Sequence, residues 1–175
     1  MDNNEKIVIV GKSGSGKDYL LSRLKDVGYK SAVKITTRPK REGEIDGINY
    51  HFIKNEEFTN RLNSDDIIIN QKFNIEGDIW QYGYDRISFT SSNVFILTPN
   101  EVLQMSKEDR EQCCIIYLDI DRDIRMDRIV ERNDNNDTLD RRLKTDDIDF
   151  QNFNDYDVRI SDPEFTTENI LSLIF

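Results

Sequence analysis

The run Gly11-Lys12-Ser13-Gly14-Ser15-Gly16-Lys17 constrains this chain more than any other feature, because of what flanks it. Before it, Lys6-Ile7-Val8-Ile9-Val10 is short and mostly β-branched, as a buried parallel strand would be. After it, Leu20, Leu21 and Leu24 recur at helical spacing until Gly28 stops the pattern. G-x-x-x-x-G-K between a strand and a helix is the spacing of a phosphate-binding loop (Walker A). Glycines let the backbone wrap around phosphate oxygens and aim several N–H groups inward. The helix adds its positive dipole end, and Lys17 adds a full charge toward the β- and γ-phosphates. A glycine-rich turn without a ligand is the plain alternative, and the flanking strand and helix disfavour it. Gly11, Ser13, Gly14, Ser15, Gly16, Lys17 and Asp18 are therefore the expected contacts to ATP.

Asp18 stands where a Ser or Thr hydroxyl usually binds Mg²⁺. A carboxylate is also a hard oxygen ligand, so Asp18 is the candidate metal residue, holding the ion directly or through water. It adds negative charge beside the triphosphate. An acidic residue stabilised by the helix dipole is an equal alternative.

The rest of the chain keeps an α/β rhythm. Strands are expected at Ser31–Thr37, Tyr50–Ile53, Asp66–Asn70, Trp80–Tyr82, Val94–Leu97, Ile115–Leu118 and Tyr156–Ile160, with a turn at Gly77-Asp78. Helices are expected near Glu56–Asn63, Pro99–Met105, Asp121–Arg132, Leu139–Thr145 and Asn169–Ile174. This predicts an α/β, P-loop NTPase fold, a mostly parallel sheet flanked by helices, in a single domain. Its core would be 1–37, 85–127 and 146–175, with an acceptor-binding insertion at 38–84. A helical lid is expected at 128–145, because the polar run Asn133–Asp137 has almost no core-forming residues.

Bulk properties narrow the function. The net charge of -10 argues against broad contact with nucleic acid, which needs a basic face to replace phosphate counterions. A small phosphate ligand needs only a local cluster of positive charge. No apolar run approaches the roughly 20 residues that span a bilayer. The N-terminus runs into the first strand with no basic region or cleavage site, so the expected compartment is the cytoplasm. Cys113 and Cys114, the only cysteines, sit in an apolar run and read as packed thiols. His51 is the sole histidine and reads as structural, and Phe73 and Trp80 read as packing residues with a lesser chance of stacking on an acceptor base.

The segment Thr36-Thr37-Arg38-Pro39-Lys40-Arg41-Glu42-Gly43-Glu44-Ile45-Asp46-Gly47-Ile48-Asn49-Tyr50-His51-Phe52 carries the second signal. Arg38 and Arg41 bracket a proline-stiffened turn, and Tyr50 lies across the Gly47 turn. Two guanidinium forks and a phenol suit a dianionic phosphate. In isolation a solvated surface loop explains the segment as well. The stretch resembles the T-T-R-x-P-R-x-G-E-x-D-G-x-x-Y-x-F signature of guanylate kinases, with one residue between Arg38 and Pro39 shifted. Together with the phosphate loop, Tyr82-Gly83 and the later arginines, the likeness covers most of the chain in order. It implies phosphoryl transfer from ATP, with Mg²⁺, to a small nucleotide substrate such as GMP or dGMP. It further implies that Arg38, Arg41, Tyr50 and Tyr82 hold the acceptor phosphate, and that Arg128, Arg132 and Arg142 act with Lys17 on the transferring phosphoryl group.

The positions matching the base readers of that family carry Lys34, Ile69 and Tyr84. Isoleucine cannot accept from the donors of guanine, so Glu76 or Asp78 is a candidate substitute. The family's acidic residue after the Val94–Leu97 strand is replaced by Thr98-Pro99-Asn100. Asp18 and Ile69 also fit the related ribose 1,5-bisphosphate phosphokinases, and a kinase for another base stays open. A non-catalytic guanylate-kinase-like binding module is the alternative of another class, against which stand the intact Gly11, Gly14, Gly16 and Lys17.

Overall fold

The structure, a computed structural model, describes residues 6–75, 77–131 and 139–174, the side chains of 139–142 excepted. β1 (Lys6–Gly11) is buried along its whole length, as is β7 (Cys113–Leu118). With β6 (Val94–Ile96) and β8 (Val158–Ile160) they form a parallel sheet in the order β6-β1-β7-β8. Strands with apolar residues on both faces need cover on both faces. Alternation along β1 sends Ile7 and Ile9 to one core, with Leu20, Leu24 and Ile170, and Val8 and Val10 to the other, with Phe89 and Phe95. Each such fully buried aliphatic side chain contributes about 1.5–3 kcal/mol.

Helices supply that cover: α1 (Lys17–Asp26) and, from the far end of the chain, α8 (Thr167–Ile174) lie on the Ile7/Ile9 side. α3 (Arg86–Ser91) brings Phe89 to the other side, and α4 (Pro99–Val102) brings Val102. α5 (Lys107–Glu111) precedes β7, and α6 (Arg122–Glu131) and α7 (Leu139–Asp149) pack on each other.

A second, mixed sheet carries the middle of the chain in the order β3-β2-β5-β4. It consists of β2 (Ile35–Thr36), β3 (His51–Phe52) and a hairpin of β4 (Ile67–Ile75) and β5 (Asp78–Asp85), with α2 (Asn55–Asn63) packed on β4. Its small core is Ile35, Phe58 and Ile67.

Several boundaries differ from the sequence reading. The strand expected over Ser31–Thr37 is divided between two sheets: Ser31 bridges to Val94 beside the main sheet, while Ile35–Thr36 pair with β3 and β5. The segment 31–36 therefore crosses from the core to the insertion. The hairpin strands are longer than expected on both sides of Gly77, and the helix from Pro99 stops at Val102. α3 and α5 were not anticipated. Each is short and starts from a side-chain cap: Asp85 accepts from the Ser88 amide and Ser106 from the Asp109 amide. Cys113 and Cys114 are buried free thiols, His51 stands in β3, and Phe73 faces Trp80 across the hairpin. Among the described residues no helix is long and apolar enough to cross a membrane.

Candidate functional site

The loop from Gly11 to Lys17 joins the fully buried β1 to α1, which buries Leu20 and Leu24, so both ends of the loop are anchored in the core. Gly14 and Gly16 have φ of 76° and 98°, in the left-handed region that glycine enters at no steric cost. Space matters as much as the angle. A Cβ on Gly14 would lie 2.5 Å from the Arg125 carbonyl of α6, and one on Gly11 would lie 2.5 Å from Ser15 Oγ. The Lys17 ammonium turns back across the loop and donates to the carbonyls of Gly11 at 2.7 Å and Lys12 at 3.0 Å. Burial lowers its pKa to about 8, against the pull of Asp18 and Asp146. Ser15 Oγ is buried beneath the loop with no hydrogen-bond partner. A desolvated ammonium and an unsatisfied hydroxyl in one loop are poorly compensated without an anion.

Two side chains that the sequence did not single out hold the loop from behind. Arg125, 3% exposed, donates to the carbonyls of Ile120 at 3.0 Å and Ser13 at 3.2 Å, and lies 3.5 Å from Asp146 of α7. Asp146 in turn accepts from the Ser13 amide at 2.9 Å and from the Ser13 hydroxyl at 3.3 Å. The loop is thus tied to both helices that flank 132–138. Arg128, one turn beyond Arg125, donates to the carbonyls of Gly14 at 3.4 Å and Pro163 at 2.9 Å. With Gly16, Tyr19 and Phe165 it lines a cavity of about 490 Å³ on the outer side of the loop.

On the other side of Asp18 a second cavity, of about 370 Å³, is lined by Asp18, Lys34, Asn49, Tyr50 and Tyr84, among others. Tyr50 belongs to an aromatic and cationic cluster. Its ring meets Tyr82 edge-on at 5.8 Å, and the Arg38 guanidinium lies 5.3 Å from the Tyr50 ring centroid. Arg38 is 4% exposed and makes a fork of two bonds, 2.5 and 3.0 Å, to Glu44. The hydrogen bond from Arg38 holds the Glu44 carboxyl below its usual range, although burial works against it. The Arg41 amide also donates to Glu44, at 2.7 Å. Arg38, Tyr50 and Tyr82 are thus brought together, and Glu44 is the anion that the Arg38 fork holds.

The expected base-side residues part company. Lys34 and Tyr84 line the cavity, with the Lys34 ammonium 5.2 Å from the Tyr84 ring centroid. Burial pushes the Tyr84 phenol well above its usual range, and its hydroxyl reaches only the Ile96 carbonyl, at 3.4 Å. Ile69 is 1% exposed and packs with Tyr84, Phe89 and Phe95 in the core. Lys34 has a partner the sequence reading missed. Its ammonium donates to both oxygens of Glu101, at 2.8 and 2.9 Å, and Glu101 is fully buried. Glu101 also closes a capping box with Thr98, a T-x-x-E spacing legible in the sequence. Asp78 begins β5 in an exposed position. Glu76 and Arg132 lie outside the described residues, as does the side chain of Arg142, whose backbone is in α7.

Among the described residues no three His, Cys, Asp or Glu side chains come together as a metal cluster. A divalent ion would therefore take most of its ligands from phosphate oxygens, and the Asp18 carboxylate is chemically suited to add one.

Known proteins resemble this chain in sequence and in fold. The family model described as guanylate kinase matches residues 3–171. A guanylate kinase of Mesoplasma florum is 40% identical over 72 residues, which is 39% of this chain and 24% of that protein. One of Clostridium perfringens (strain SM101) is 45% identical over 64 residues, 35% of this chain and 30% of the relative. These alignments span a quarter to a third of the relatives' length. The crystal structure of guanylate kinase from Anaplasma phagocytophilum superposes with a TM-score of 0.67 at 20% identity, covering 99% of this chain and 86% of that one. At that identity the likeness is one of fold.

Proposed function

We propose that this chain, which belongs to the guanylate kinase family, transfers the γ-phosphoryl group of ATP to GMP or dGMP. The observation that carries the reading is the cavity shared by Asp18, next to the phosphate loop, and Tyr50, in the Arg38 cluster. In this reading an acceptor phosphate held at Tyr50 and a donor triphosphate held at the loop meet across that cavity. In-line phosphoryl transfer is largely positioning plus charge stabilisation, so that juxtaposition supplies much of the catalysis.

The loop amides and Lys17 hold the β- and γ-phosphates, and Ser15 Oγ is the buried hydroxyl beneath them. The 490 Å³ cavity with Tyr19, Arg128 and Phe165 accommodates the nucleoside of ATP. Mg²⁺, carried by the triphosphate, neutralises its charge, and Asp18 is the residue that would contact it. Arg38, Tyr50 and Tyr82 receive the acceptor phosphate, which competes with Glu44 for the Arg38 fork. A phosphate dianion needs no strong base to attack the γ-phosphorus, and no covalent enzyme intermediate is required.

The test is ADP release with ATP and Mg²⁺ against GMP, dGMP, AMP, CMP, UMP, dTMP and ribose 1,5-bisphosphate. Turnover is expected with GMP and dGMP. Turnover confined to the sugar phosphate or to a pyrimidine nucleotide would refute the acceptor, and silence throughout, with no ATP binding, would refute catalysis.

Nucleotide binding should also depend on pH. With the Lys17 pKa at about 8 in the free protein, a phosphate partner restores the charge, so binding takes up a proton. ATP affinity is expected to fall about tenfold between roughly pH 7 and 9, as the protonated fraction falls from about nine-tenths to one-tenth. Calorimetric titration in buffers of different ionisation enthalpy measures the uptake, and a flat profile would show that Lys17 keeps its charge.

A further inference from the structure

Three charged side chains, Asp18, Lys25 and Lys34, line the 370 Å³ cavity, and Lys34 is held there by a buried carboxylate. The Lys34 ammonium is clasped by Glu101, whose two oxygens are spent on it and on the Thr98 amide, which donates at 2.8 Å. Glu101 is fully buried in its capping box, so the ammonium is fixed rather than swinging on a flexible stem. An ammonium has three protons, all donors and none an acceptor. The Lys34–Glu101 contact leaves donor capacity toward the cavity, where the Lys34 side chain is 18% exposed. Tyr84 forms an aromatic wall beside it.

We propose that Lys34, positioned by Glu101, is the specificity-determining residue for the acceptor base, and that it selects a carbonyl oxygen on the base edge. This rests on the kinase reading above and refines it. A 6-oxo purine offers O6 and N7 as adjacent acceptors, which an ammonium satisfies. A 6-amino purine puts a donor where O6 would accept, so the ammonium keeps N7 alone and faces a like donor beside it. Since the selecting group is a donor, it is blind to the 2-amino group. Selectivity therefore separates GMP and IMP together from AMP, instead of separating GMP from IMP.

The experiment compares kcat/KM for GMP, IMP and AMP in the unaltered protein, in Lys34→Met and in the double variant Lys34→Met/Glu101→Gln. The unaltered protein is expected to use GMP and IMP within about tenfold of each other, and AMP at least about a hundredfold less well. Lys34→Met should lose about 10- to 100-fold with GMP and IMP, mostly in KM, and little or nothing with AMP, so that the gap narrows. Because Lys34→Met strands a buried carboxylate and can unfold the chain, the double variant removes both charges and should give the same narrowing in a folded protein. A protein that uses GMP at least about a hundredfold better than IMP would overturn the proposal, since the 2-amino group would then be read by an acceptor. So would an equal loss with all three nucleotides. Turnover of none of them by the unaltered protein would instead bring down the kinase reading itself.

Discussion

Lys17→Met is expected to lower phosphoryl transfer by about 10³-fold or more, some 4 kcal/mol of transition-state stabilisation, without lowering the melting temperature. The two halves of this result have one cause. In the proposed function Lys17 is the charge that the loop presents to the β- and γ-phosphates, where negative charge moves during transfer. In the free protein that same charge is buried against two backbone carbonyls, at 2.7 and 3.0 Å, and burial brings its pKa down to about 8. A lysine whose folded pKa lies below its unfolded value binds its proton less readily when folded. Its charge therefore costs stability at neutral pH, and stability rises as pH climbs from about 8 toward the ordinary lysine range. Methionine keeps the stem and removes that cost, so the variant should melt at the same temperature or higher and lose the pH-dependent rise. Kinetics and thermal unfolding from pH 7 to about 10 check both halves. A variant that loses activity and stability together would show that Lys17 holds the loop structurally.

The phosphate loop was legible because its parts are contiguous: strand, glycines, lysine and helix follow one another, and each residue type has a local reason to be there. The cluster around Arg38 was legible as a segment, but its present partner was not. Glu44 lies within the same turn as Arg38, and sequence order does not show that the carboxylate folds back onto the guanidinium. The strand expected over Ser31–Thr37 shows the limit of periodicity, which marks extended apolar chain without saying that it leaves one sheet for another. The burial of Ile69 beside Phe89 depends on the alternating side-chain direction in its strand, which its chain position alone does not show. Glu101 was within reach of a local argument, because Thr98-Pro99-Asn100-Glu101 spells a helix start. Its ion pair with Lys34 spans 67 positions and was not. Asp146 sits beside Asp147 and near Asp149, and looks like part of a solvated face until α7 is laid against the loop.

Arg125→Met is expected to destabilise the fold by about 3–5 kcal/mol, roughly 10 °C or more in melting temperature for a chain of this size. Arg125 satisfies two carbonyls, of Ile120 and Ser13, and neutralises Asp146, with the two side chains only 3% and 13% exposed. Methionine fills much of the volume and leaves Asp146 with the two Ser13 donors alone. Charges buried this far are costly mainly when one partner goes, so Arg125→Met/Asp146→Leu should recover most of the lost stability. It should not recover function. The pair anchors Ser13, and the Arg125 carbonyl backs onto Gly14 so closely that a Cβ there would stand 2.5 Å away. The double variant is therefore expected to melt near the unaltered protein while binding ATP at least about tenfold more weakly, because the loop amides are no longer held ready for phosphate and must be ordered at the moment of binding. Thermal unfolding and ATP titration on the three variants (each single and the double) separate the effects. Full recovery of ATP affinity in the double variant would mean that the glycine-rich loop holds its shape through β1 and α1 alone, and that Arg125 and Asp146 serve only to join the helices flanking 132–138.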